Sequence, residues 1–144
     1  MVTVEEFLAR PLVAHLASTG PVVRPIWFLW EGDAFWWLTG EWSRLEQSLA
    51  RDPSVALVID SCDLTTGDVL QVTVRGQAEI VAWQREIAVR KLSKYLGSDQ
   101  SRWPQERFLL PLDRGSTRLV RLRPLSPPQL RDLSFVPPRR GVEV

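Results

Sequence analysis

Pro25-Ile26-Trp27-Phe28-Leu29-Trp30, followed beyond Glu31-Gly32-Asp33 by Ala34-Phe35-Trp36-Trp37-Leu38-Thr39, is the stretch whose reading decides the fold. In an extended chain odd and even positions point to opposite faces, and here both faces are bulky and apolar. The Glu-Gly-Asp interruption turns the chain back on itself, so the stretch reads as two strands of a hairpin. A sheet this apolar on both sides needs cover on both sides, because bare it exposes a large hydrophobic patch. We expect a second copy of the chain to supply that cover, giving a symmetric homodimer. The simpler reading is that helices of the same chain lie over it.

Working outward, residues 12–18 and 22–31 read as strands separated by Thr19-Gly20-Pro21, and 34–39 as the third. Further strands are expected at 54–60, 69–82 and 117–122, with Gly76 suggesting a bulge. Thr3 with Glu6 forms a capping-box pattern that opens a short helix before Pro11. Ser43 with Glu46 repeats the pattern for a helix closed by Asp52-Pro53. Residues 84–96 have helical spacing up to Gly97, and 102–108 form a second helical piece. Parallel order needs a helix after nearly every strand, so the pattern predicts a mainly β fold, an antiparallel barrel with inserted short helices. Residues 1–124 form one domain. Residues 125–144, carrying Pro127, Pro128, Pro137 and Pro138, form a tail unfit for a central sheet and expected to wrap the surface.

At 144 residues the chain holds one domain with a sizeable core. Lys+Arg 18 against Asp+Glu 17 leaves a net charge of +1, too little to draw the molecule to nucleic acid or an acidic membrane. A single cysteine, Cys62, precludes an intrachain disulfide and a multi-thiolate zinc site, which fits a cytoplasmic setting. No run reaches the roughly 20 apolar residues of a membrane span.

Several motifs acquire meaning together: Phe7-Leu8 with Ala14 and Leu16-Ala17, Arg24-Pro25-Ile26-Trp27-Phe28, Thr39-Gly40 with Ser43-Arg44, Asp52-Pro53, and Gln71-Val72-Thr73-Val74-Arg75-Gly76-Gln77-Ala78. In this order and spacing the chain resembles the pyridoxamine 5'-phosphate oxidase-like, FMN-binding split-barrel family, which includes oxidoreductases using the deazaflavin coenzyme F420. The resemblance implies a six-stranded split barrel that dimerises with each cofactor in a groove between protomers. It implies that Arg24, Pro25, Ile26, Trp27 and Phe28 run along the flavin ring. Thr39, Gly40, Ser43 and Arg44 match the segment that receives the cofactor phosphate, and Gln71 the glutamine that reaches the cofactor from the sheet. A helix beginning at Ser43 also offers free backbone N–H groups and the positive end of its dipole, with Arg44 able to add a forked contact. Where the family usually has a lysine after Ser-Arg, this chain has Leu45. Loss of that cation removes about 1–3 kcal/mol of charge-assisted bonding unless something replaces it. Near the end stands Arg121-Leu122-Arg123-Pro124 without a histidine, so oxidation of pyridoxamine phosphate itself is not expected.

The implied function is hydride transfer to or from a small organic substrate by FMN or coenzyme F420. Such a cofactor carries out that chemistry itself, so no catalytic side chain need be visible. The alternative is a non-catalytic split-barrel dimer that binds a planar ligand or has lost its cofactor. The only histidine, His15, lies mid-strand and is expected in a buried or interface role. No Gly-x-Ser-x-Gly, Gly-x-Gly-x-x-Gly or phosphate loop is present, which argues against hydrolases and nucleotide folds. Asp60, Asp63 and Asp68 read as turn formers and no metal is expected. Trp103, Arg102 and Arg107 are candidates for substrate contact.

Overall fold

The computed structural model describes residues 1–139. Thr3 caps α1 (Val4–Leu8) as its capping box requires: its hydroxyl accepts from the Glu6 N–H at 3.1 Å, while the Glu6 carboxylate accepts from the Thr3 N–H at 3.2 Å. The cap directs Phe7 and Leu8 into the core.

Strands β1 (Ala14–Ser18), β2 (Val22–Ile26), β3 (Leu29–Glu31), β4 (Ala34–Gly40), β5 (Ser54–Asp63), β6 (Asp68–Val81) and β7 (Thr117–Pro124) form one antiparallel sheet in the order β2-β1-β5-β6-β7-β4-β3. β2 and β3 are consecutive in the chain yet stand at opposite ends of that order. The sheet therefore curls until its ends meet at Trp27-Phe28, leaving a split where they do not pair. This is the split barrel with short inserted helices that the sequence predicts, with eight strands where six are expected. One extra arises because the segment 22–31 breaks into β2 and β3. At the break the Phe28 N–H donates to the Tyr95 hydroxyl (3.0 Å) and the Phe28 carbonyl accepts from Lys94 Nζ (2.9 Å), so neither group is free for a ladder. The other is β8 (Arg131–Asp132), which pairs with Leu70 and Gln71 of β6. The tail thus joins the sheet, at the two positions between its proline pairs, where N–H groups are available.

Gly32 and Asp33 both take positive φ, 61° and 58°, in the two-residue turn joining β3 to β4. Gly76 makes no bulge: the β5–β6 register runs unbroken from Ser54↔Gln77 to Asp63↔Asp68. Glycine is needed there because a Cβ would lie 2.5 Å from the Arg123 carbonyl oxygen.

The barrel interior is filled by Phe7, Leu16, Phe28, Phe35, Trp37, Leu57, Ile59 and Leu122, among others. Outside it, α3 (Arg85–Leu96) and a run of 3₁₀ and π-helical turns from Gln100 to Asp113 lie over β4 and β7. This cover overturns the reason for expecting a partner over the aromatic hairpin. Trp37 is 1% and Trp36 9% exposed, and Trp27 is stacked on Tyr95 and Phe108 of the same chain. Trp103, a candidate for substrate contact, belongs to this packing: it is 2% exposed and its indole N–H donates to the Gly97 carbonyl at 2.8 Å. His15 is exposed on β1, neither buried nor paired with a charged group. The Asp63 carboxylate accepts from the Thr65 N–H at 2.9 Å, forming the β5–β6 turn. No described helix is long and apolar enough to cross a membrane.

Candidate functional site

Where β2 ends, β4 runs into α2 (Leu45–Arg51) and α3 passes over both, the surface opens into a groove of about 700 Å³. Of the expected site residues, Arg24, Pro25, Ile26, Trp27, Thr39, Ser43 and Arg44 all line it. Gly40 borders it at the end of β4, where any Cβ would collide with the Trp42 ring, so glycine lets that ring fold back toward the strand. Two expected residues are elsewhere. Phe28 is fully buried in the barrel, pinned by its backbone bonds to Tyr95 and Lys94. Gln71 sits opposite Asp60 on β5 and Arg131 on β8, away from this groove of the same chain.

The helix start differs from expectation. Arg44, not Ser43, occupies the N-cap and makes no side-chain cap bond; the capping box with Glu46 does not form. The Ser43 hydroxyl accepts from the Leu45 N–H at 3.1 Å, a tight turn just ahead of the helix. Its proton remains free for a further acceptor. Leu45 is 2% exposed and packs inward beside Leu49, which explains why no cation stands at that position.

Val22, Trp37, Leu38, Trp42, Lys91 and Phe108 also line the groove and carry no site signal in the sequence, Phe108 beside the candidate Arg107. Lys91 comes from the buried face of α3. The residue is 7% exposed, and burial pulls its pKa down to about 8. Its nearest electronic partner is the Trp27 ring, 5.8 Å from Nζ. It makes no hydrogen bond or ion pair among the described residues. Lys94, one turn on, behaves differently: Nζ donates to the Leu8 carbonyl (2.8 Å) and the Phe28 carbonyl and lies 3.6 Å from the Phe28 ring centre. Burial, and then the charge of Lys91, lower its pKa to about 7.

Arg24, Arg44, Lys91 and Arg107 thus line the groove, and among the described residues no aspartate or glutamate does. In a molecule of net charge +1 that concentration of like charge marks a place for an anion. Apolar side chains line the same groove among the cations: Ile26, Leu38, and Trp27 stacked on Tyr95 at 4.6 Å and Phe108 at 5.6 Å. Trp37 adds a buried indole N–H with no acceptor among the described residues. A groove that combines several cations with aromatic and aliphatic surface fits an amphipathic, ring-bearing phosphate ester. Its volume lies within the range that holds such ligands. Catalytic side chains are not prominent: among the described groove residues Lys91 alone has a proton that titrates near neutrality.

A family profile described as pyridoxamine 5'-phosphate oxidase matches residues 3–121. No curated protein matches the sequence. Among solved structures, an F420 reductase superposes with a TM-score of 0.59 at 22% identity, covering 88% of this chain and 94% of that one. The FAD-binding protein of Mycobacterium smegmatis gives 0.58 at 20%, covering 94% and 100%. HutZ, the heme storage protein of Vibrio cholerae, gives 0.62 at 16%, covering 92% and 91%. At such identities these likenesses establish a common fold.

Proposed function

The chain belongs to the pyridoxamine 5'-phosphate oxidase family, and from that membership we propose that it is an oxidoreductase holding FMN or coenzyme F420 in the groove beside β2 and α2. The observation that carries the reading is the groove's composition, four cations and, among the described residues, no carboxylate, together with aromatic side chains. Bound there, a flavin or deazaflavin supplies hydride transfer to or from a small organic substrate. The chain's part is to bind and orient. Arg44 and the free Ser43 proton hold the phosphate, with Thr39 beside them. Arg24, Pro25, Ile26 and the Trp27 stack give the ring a rigid bed, and Trp42 shields it from water.

We further propose a homodimer, on a different ground from the aromatic hairpin. β2 is a terminal strand of the sheet, and Val22 and Val23 on it are 39% and 66% exposed, with Val22 on the groove rim. A second copy over this edge closes the groove's open side and buries unpaired strand backbone. Gln71 and Phe28 lie outside their own chain's groove, so the reading assigns Phe28 a structural role and leaves Gln71 to act only across such an interface.

The test is a titration of purified protein with FMN and with F420, followed by absorbance and fluorescence, alongside sedimentation equilibrium. Micromolar binding of either, lost in Arg44→Ala and followed by bleaching with reductant, supports the enzyme. Protein that binds neither refutes it in favour of a non-catalytic split barrel, and a monomer at micromolar concentration refutes the dimer.

A further inference from the structure

Past Trp42 the groove continues into a narrower arm of about 380 Å³ between α3 and the turns leading to β7. Leu38, Leu92, Phe108, Pro111 and Leu112 make its walls apolar. The hydroxyl of Thr117, at its end, already donates to the Pro111 carbonyl at 3.2 Å. Lys91 stands at the junction, lining both arms.

We propose that this arm is the substrate subsite and takes a hydrophobic monoanion, a carboxylate or phenolate, whose charged oxygen pairs with the Lys91 ammonium. The proposal rests on the reading that the open arm holds the cofactor. Its ground is the state of Lys91: a residue only 7% exposed on the inward face of α3, lining both arms, with no carboxylate, carbonyl or hydroxyl among the described residues to receive its three protons. Structural lysines at such depth are tied to acceptors, as Lys94 is to two carbonyls. An unpaired buried charge is costly, and an anionic ligand removes that cost on binding. The walls decide the rest of the molecule. With no other uncommitted buried donor in the arm and Arg107 exposed at its mouth, a dianion is left under-neutralised, while an apolar body of drug-like size finds only hydrocarbon and ring surface.

The charged groups around Lys91 are Lys94 on its own helix, Arg107 on the overlying turn, and Arg24 and Arg44 in the open arm. Lys94, turned to the Leu8 and Phe28 carbonyls, acts on Lys91 only at a distance. Affinity for the anion therefore falls as pH rises through about 8, where Lys91 gives up its proton.

Calorimetry with naphthalene-2-carboxylate and its uncharged carboxamide, on the full chain with and without cofactor, tests this. At pH 7 the carboxylate should bind at least about tenfold more tightly than the amide. Lys91→Met should erase that preference and leave amide affinity unchanged. On the unaltered chain the preference should shrink between pH 7 and 9, a measurement that needs no variant to fold. Equal binding of the two probes, a preference that survives Lys91→Met or is flat in pH, or no binding of either overturns the subsite. Naphthoate binding that depends on Lys91 in a protein taking up neither FMN nor F420 sinks the cofactor reading and leaves the subsite standing; the reverse pattern does the opposite.

Discussion

Tyr95→Phe deletes one oxygen at the seam of the barrel. That hydroxyl donates to the Leu12 carbonyl at 2.7 Å and accepts the Phe28 N–H at 3.0 Å, so its loss leaves a donor and an acceptor unpaired. Each such group costs about 1–3 kcal/mol when fully buried. The site is only partly buried and water recovers some of this, so the expected loss is about 2–3 kcal/mol, or roughly 5–10 °C in Tm for a chain of this size. The ring remains stacked on Trp27, which confines the effect to the two hydrogen bonds. Equilibrium urea unfolding with unchanged m-value measures the loss, and amide exchange at Phe28 locates it: that N–H should lose protection first. A loss under about 0.5 kcal/mol, with Phe28 still protected, refutes the view that α3 holds the split closed.

Leu45→Lys, which restores the residue usual in the family, should destabilise the protein by more than about 3 kcal/mol without improving cofactor affinity, because the position is buried in the core; denaturation and FMN titration check both. Arg44→Ala, which removes no cap bond, should weaken FMN or F420 binding by roughly ten- to a hundredfold at unchanged Tm, read by fluorescence titration. Stability should rise with pH from about 7 toward 10.0. Lys91 and Lys94 have folded pKa values of about 8 and about 7, below a lysine's ordinary value, so the unfolded chain holds more protons across that window. Above 10.0 Tyr95, raised by burial to about 12, opposes the trend; Lys94→Met should flatten the slope in pH-dependent urea melts. Gly76→Ala should cost about 1–3 kcal/mol by forcing Arg123 away, measured by thermal unfolding.

The strands, the capped α1 and the order of motifs were legible in the sequence because each depends on neighbours: a period of two, a hydroxyl three residues from a carboxylate, a Gly-Asp turn. Seven of the residues that the family resemblance singles out line one groove, since β2 and the β4–α2 turn are short continuous segments. What covers the aromatic hairpin was not legible. Only the fold brings residues 85–113 back over β4, and with them Trp103 becomes core instead of a substrate contact. Ser43 with Glu46 looked like a cap, yet Leu45, buried in the core, sets where α2 begins. Lys91 carried no signal at all: in sequence it is one of two lysines on an amphipathic helix. Its meaning arises because the helix turns it inward to the groove, where it is largely buried and the described residues give it no acceptor. Local pattern decides which elements form; desolvation and pairing between distant segments decide which side chains are left with unmet chemistry, and that is where a ligand is to be sought.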